Sequence, residues 1–264
     1  MNWTAAANVC LVVLAFGVSQ DHPLVVAANR DEFHARPTQS ADWWPDAPDI
    51  VGGRDLQAGG TWLGAHRDGR FATVTNYSSA QEKSSGLRSR GHLVTGFLQS
   101  NRSPLEYLRT IRGDDYAGFN LLVADRTTLA YLSNRGGGLQ ELPAGIYGLS
   151  NATLDAPWEK VERSKDRLTR LFAEGRINET HLLRLLGDRD KGPVHEVKSD
   201  RLPFAIAHAI TAPFIVTSNY GTRCSTIVRA DSSGQWHFHE RRFNASGNNV
   251  GESQYLFRTG IHPD

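Results

Sequence analysis

Apolar and polar positions change their period several times along this chain, and each change predicts an element. Residues 10–16 and 24–28 are short, nearly unbroken apolar runs joined by the polar stretch from Gly17 to Pro23, the pattern of an opening β-hairpin. Residues 61–65 and 70–76 predict a second hairpin around His66-Arg67-Asp68-Gly69, with Asp68-Gly69 as its turn. Residues 119–124 and 128–133 predict a third, and 224–230 with 235–241 a fourth around Asp231-Ser232-Ser233-Gly234. Helical spacing takes over between them. Leu93, Val94, Phe97 and Leu98 mark a helix over 88–100, and Ser103-Pro104 opens another through Ile111, a capping serine followed by a first-turn proline. Asp155 and Pro157 begin a longer helix to Glu174, with Val161, Leu168, Leu171 and Phe172 inward. Asn178 caps a last one with the stripe Leu182, Leu183, Leu185 and Leu186. Residues 187–213 contain proline and follow neither period, so they predict a long loop.

Strands, then helices, then strands again imply an α+β chain in which sheets are sandwiched by helices. No internal repeat or low-complexity tract divides residues 1–264, so one domain is expected. The formal net charge is +1 with both signs interspersed, and no basic block suggests nucleic acid as a partner. Two cysteines, Cys10 and Cys224, with no metal-ligand spacing, argue against a zinc site or a disulfide framework. His237 and His239 share one strand face and read as solvated. The apolar run after Cys10 has no basic residue before it and falls far short of the ~20 residues of a membrane span, so a buried strand explains it better than a signal peptide or an anchor. A reduced, cytoplasmic protein without stable membrane insertion is expected.

The candidate chemistry lies behind the second apolar run, where Asn29-Arg30-Asp31-Glu32 follows Leu24-Val25-Val26-Ala27-Ala28. Taken alone, these four residues describe a strand-end turn with a surface ion pair, worth under about 1 kcal/mol. Downstream, however, Gly52-Gly53-Arg54-Asp55, Gly59-Gly60-Thr61-Trp62, Thr75-Asn76-Tyr77, Phe119-Asn120-Leu121 and Ser150-Asn151-Ala152 occur in order. With Asn29-Arg30-Asp31-Glu32 this set resembles the NRDE family, the group of transport and Golgi organisation protein 2, from Cys10 to about Phe257.

That family is similar in turn to N-terminal-nucleophile hydrolases of the choloylglycine hydrolase and penicillin V acylase type. The resemblance implies a four-layer αββα sandwich and a cysteine nucleophile whose own α-amino group is the base. A free α-amine, with an ordinary pKa near 7.7–8.0, suits general-base work, and neighbours that lower the thiol pKa would activate the cysteine. Mapped onto this chain, the implied site is Cys10 as nucleophile, Arg30, Asp31 and Glu32 beside it, Asn76 and Asn151 as oxyanion donors, and Arg223 on a late strand. Asn29, Trp62 and Tyr77 are expected to line the ligand. Strand alternation sends Arg30 and Glu32 to one side and Asn29 and Asp31 to the other, which leaves open which of them faces Cys10. Because nine residues precede Cys10, residues 1–9 are expected to be a removed extension, or Val9 the true start. Two functions follow. One is an amidohydrolase acting on a small or amphipathic amide, with no cofactor required. The other is a non-catalytic carrier of haem or of an acyl-CoA or lipid ligand, haem being cargo rather than a cofactor.

Overall fold

A computed structural model of the chain describes residues 9–77, 87–194 and 202–259. One sheet of six strands has the order β10-β1-β2-β11-β12-β13, built from β1 Leu11–Phe16, β2 Leu24–Phe33, β10 Gly145–Leu149, β11 Tyr220–Ala230, β12 Gln235–Phe243 and β13 Asn249–Arg258. A second sheet has seven strands in sequence order: β3 Thr38–Trp44, β4 Ala47–Asp55, β5 Leu63–His66, β6 Phe71–Asn76, β7 Phe119–Ala124, β8 Leu129–Ser133 and β9 Gly138–Leu142. All the strand pairings are antiparallel.

The two sheets meet across a core containing Val12, Leu14, Val26, Phe71, Leu122 and Phe238. Helices α1 Gly91–Leu98 and α2 Pro104–Arg109 cover the outer face of the second sheet through Leu93, Phe97 and Leu108. Helices α3 Glu159–Ala173 and α4 Glu179–Leu186 cover the first through Leu168, Leu182 and Leu186. The architecture is therefore the expected αββα sandwich. Strands buried on both faces explain the unbroken apolar runs of β1 and β2.

Three expectations are corrected. The second strand does not end at Ala28 but runs through Phe33, so the polar motif lies inside a strand rather than at its exit. Pairing continues because Asp31 and Thr222 face each other across β2 and β11, and hydrogen bonding keeps polar residues in the ladder. The stretch expected as loop carries a short helix, α5 Phe204–Ala209, while residues 195–201 lie outside the described residues. His239 is not solvated: it is buried and bonded to Glu252 at 2.9 Å.

Two glycines of the ordered motifs act by leaving room. A Cβ on Gly53 would collide with the Trp62 ring, so this glycine lets the indole lie over β4. Gly60 adopts φ +74°, and a Cβ there would stand 2.5 Å from the backbone of Gly91, which opens α1. These close approaches seat the start of α1 against the loop before β5.

Candidate active site

The register brings the site together. Leu11 pairs with Asn29 and Val12 with Leu149, which sets Cys10 beside Arg30 on one flank and Asn151 on the other. The backbone N–H of Cys10 donates to Asn151 Oδ1 at 2.6 Å, and the thiol lies 3.8 Å from the Asp31 carbonyl oxygen. Ser150 Oγ donates to the Cys10 carbonyl at 2.5 Å. Cys10 is part-buried in the wall of a cleft of about 530 Å³ that it shares with Arg30, Asp31, Glu32, Trp62 and Asn76.

The strand alternation explains how three consecutive charged residues serve one place. Arg30 points between the sheets, where it donates to Thr38 Oγ1 at 3.1 Å and lies 4.3 Å over the Trp62 ring. Glu32 follows it, 4.0 Å from Arg30 and 3.7 Å from Arg36, and Arg36 is held in turn by Asp55 at 2.7 Å. Asp31 points the other way, toward the helices, and accepts from Thr222 Oγ1 at 2.5 Å. Its main-chain oxygen nonetheless reaches the Cys10 thiol, so both faces of β2 contribute.

The asparagine motifs form a lashing. Asn120 donates to Thr75 Oγ1 and to the Ala152 carbonyl, and accepts from Tyr131. Thr75 donates to the Ser150 carbonyl at 2.7 Å. Residues 150–152 are thereby tied to the second sheet, and the Asn151 side chain spans Cys10 N and the Asn76 carbonyl, donating to the latter at 2.8 Å. Asn151 thus spends its carbonyl and one N–H on positioning, and Asn76 is the asparagine on the cleft wall.

Three of the expected residues lie elsewhere. Asn29 is buried on the helix side, donating to the Leu186 and Pro213 carbonyls and accepting from Ser225. Arg223 sits where the β2–β11 register skips a residue; that bulge turns its guanidinium to the Phe33 and Arg36 carbonyls at 2.8 and 3.1 Å. Tyr77 is anchored by its backbone to Gly118 and is not among the cleft's lining residues.

Lys160, Tyr220 and Thr222 escaped the sequence reading. Lys160 is 2% exposed on α3, and Tyr220 accepts the Val9 N–H at 2.7 Å. The signal for Lys160 was present: it continues the inward stripe of Ser164 and Leu168 at helical spacing, where a cation is out of place.

The electrostatics run against an activated thiol while Cys10 carries a peptide nitrogen. Burial and the Asp31 charge push the thiol up to about 12, outweighing the nearby Arg30. Burial likewise raises the Asp31 carboxyl, to about 7, although Lys160, Thr222 and Arg30 pull it down. Lys160 is lowered by burial, with Asp31 and Cys10 opposing. An acid whose folded pKa lies above its unfolded value costs stability as pH rises through that window. Wild type is therefore expected to lose stability relative to Asp31→Asn as pH rises from 5 to 7, by on the order of 1 kcal/mol per pH unit. Urea unfolding of both proteins at the two pH values measures it, and parallel curves would refute it.

The model of the family described as Transport and Golgi organisation 2 matches residues 9–245. The chain belongs to that family. It is 36% identical to the human Transport and Golgi organization protein 2 homolog over 262 residues, covering 88% of this chain and 92% of that protein. The mouse Transport and Golgi organization 2 homolog is 34% identical with the same coverage, and the Drosophila melanogaster protein 28% over 242 residues. Among solved structures, a mutant of the conjugated bile acid hydrolase from Clostridium perfringens superposes with a TM-score of 0.50 at 8% identity, covering 97% of this chain and 99% of that one. The likeness is one of fold, that of N-terminal-nucleophile hydrolases. Among the described residues no helix is long and apolar enough to cross a membrane.

Proposed function

We propose that the cleft is a cysteine amidohydrolase site of the N-terminal-nucleophile type, acting on a small or amphipathic amide once Cys10 carries a free amino group. The observation that supports it is the placement of residue 10 itself. Its nitrogen is held by Asn151 at 2.6 Å, and its thiol stands in a cleft of about 530 Å³ that also presents Asn76. In this reading the free amine takes the thiol proton as sulfur attacks the amide carbonyl. Asn76 donates to the oxyanion. The resulting ammonium returns the proton to the leaving amine, and water, activated by the same amine, hydrolyses the thioester. A thiol held high by burial fits this chemistry, because the proton leaves only as the bond forms. Arg30 and Glu32 shape the cleft through Trp62 and Arg36. We also place the protein in the cytoplasm, a reducing setting in which two unpaired cysteines remain thiols.

A second reading draws support from the same cleft. Arg30, Arg36, Arg88 and Arg90 all line it, which suits an anionic amphipathic ligand such as haem or an acyl-CoA, held without chemistry. Intact mass of the natively expressed protein separates the two. A chain beginning at Cys10, with turnover of an acylated amine, is the outcome expected for the amidohydrolase. If residues 1–9 are retained and haem or acyl-CoA titration saturates at one ligand per chain, the carrier reading replaces it.

A further inference from the structure

Helix α3 buries a cation at the end least suited to one. Lys160 is the second residue of Glu159–Ala173, where the aligned peptide dipoles already place positive charge, and it is 2% exposed. Among the described residues its hydrogen-bond acceptor is the Ile210 carbonyl, at a long 3.4 Å, and the Trp158 ring lies 5.9 Å away. A buried ammonium has three donors to satisfy, and these contacts do not balance its charge. The opposite defect lies on β2. Asp31 is 2% exposed, its Oδ1 accepts from Thr222, and its Oδ2 has no hydrogen-bond partner among the described residues. Two buried charges, each incompletely satisfied, offset each other only if both are ionised.

We propose that Lys160 is a positioning residue for the Cys10 site, a buried cation carried by α3 that favours the carboxylate form of Asp31 beside Cys10. The groups whose charge or hydrogen bonding acts on Asp31 are Cys10 ahead of β1, Arg30 and Glu32 on the other face of β2, Lys160 on α3, and Tyr220 and Thr222 on β11. Of the two cations, Arg30 is already committed to Thr38, Trp62 and Glu32. Lys160 exerts the larger pull on Asp31, and the Asp31 carboxylate is in turn the charge that most favours a protonated Lys160. The use made of this charge rests on the amidohydrolase reading. There, a carboxylate beside Cys10 favours the ammonium formed when the thiol proton moves to the α-amine, and a neutral Asp31 would not.

The charge relation itself is testable without any substrate. In the full chain carrying carboxyl-¹³C aspartate, the Asp31 signal is identified by its loss in Asp31→Asn. Lys160→Met is expected to raise the Asp31 titration midpoint by about one pH unit or more, while Lys160→Arg, which keeps the charge, restores it toward wild type. A midpoint unchanged in Lys160→Met overturns the proposal. Should that variant fail to fold, the reciprocal measurement decides. The chain has five lysines, so the Lys160 ε-¹³C signal is resolvable by comparison of single variants. In Asp31→Asn its midpoint is expected to fall by about one unit or more, and an unchanged midpoint again overturns the proposal. Absence of amidase activity would sink the proposed function yet leave these titrations as they are, so the two failures are distinguishable.

Discussion

Cys10→Ala is expected to lower amide hydrolysis by this site by about four orders of magnitude or more, because nucleophile and proton acceptor belong to one residue and the variant removes the bond-forming atom. The fold should survive, since a part-buried thiol at the entrance to β1 fills little volume. Asn151→Ala provides the graded companion. It leaves the thiol in place but frees Cys10 N and the Asn76 carbonyl from the Asn151 side chain that spans them. A loss of about two to three orders of magnitude in kcat is expected, the size associated with disturbing an oxyanion site. Rates of both variants on an acylated amine, alongside circular dichroism, make the comparison. Wild-type turnover retained by Cys10→Ala would remove the cysteine from the chemistry. Labelling by a thiol-directed electrophile offers an independent check. Cys10 should react before Cys224, which is buried within β11 with its thiol pushed well above the ordinary range.

Gly60→Ala carries the largest expected effect on stability. The new Cβ would stand 2.5 Å from the Gly91 carbonyl carbon and 2.6 Å from its oxygen, both backbone atoms that cannot swing aside. The residue would also hold φ +74°, where an L side chain is strained. Strain and overpacking together are expected to cost about 3 kcal/mol or more, or roughly 6–12 °C in Tm for a chain of this size. Gly138→Ala separates the two contributions. Its φ is +60°, but a Cβ there meets nothing within 4 Å, so it should lose only the strain, about 1–2 kcal/mol. Thermal unfolding of the pair tests the argument, and equal losses would mean that the Gly60–Gly91 approach has no energetic weight. Because Arg90 and Gly91 line the cleft, Gly60→Ala should also weaken ligand binding, whereas Gly138→Ala should not.

Strands buried on both faces, such as β1 and the first half of β2, were legible because burial on both faces demands apolar residues throughout. Others left little trace. β3 and β4 carry Asp42, Pro48, Gly52 and Gly53, residues disfavoured in strands, and exist because each pairs with the next. β13 lies at a sheet edge with most of its side chains exposed, and β9 likewise, so neither shows a hydrophobic period. Of the site, the ordered motifs located Cys10, Arg30, Asp31, Glu32, Trp62 and Asn76, all of which line the cleft.

Sequence by itself determined the alternation of periods, hence the layers, and the residue types able to carry chemistry, because both depend on local pattern and composition. Only the tertiary structure decided what each polar side chain does, because a hydrogen bond depends on which groups from distant segments meet. It turned Asn29 into a brace beneath α4 and Arg223 into a clamp on a turn, both through partners more than 150 residues away. It joined Asn120, Thr75 and Ser150 into the lashing that presents Asn151 to Cys10. It also buried Lys160 and Asp31 within reach of each other's charge. No local pattern encodes that pair, since one residue comes from a helix and the other from a strand, and the low dielectric between them gives their charges meaning only once the layers have closed.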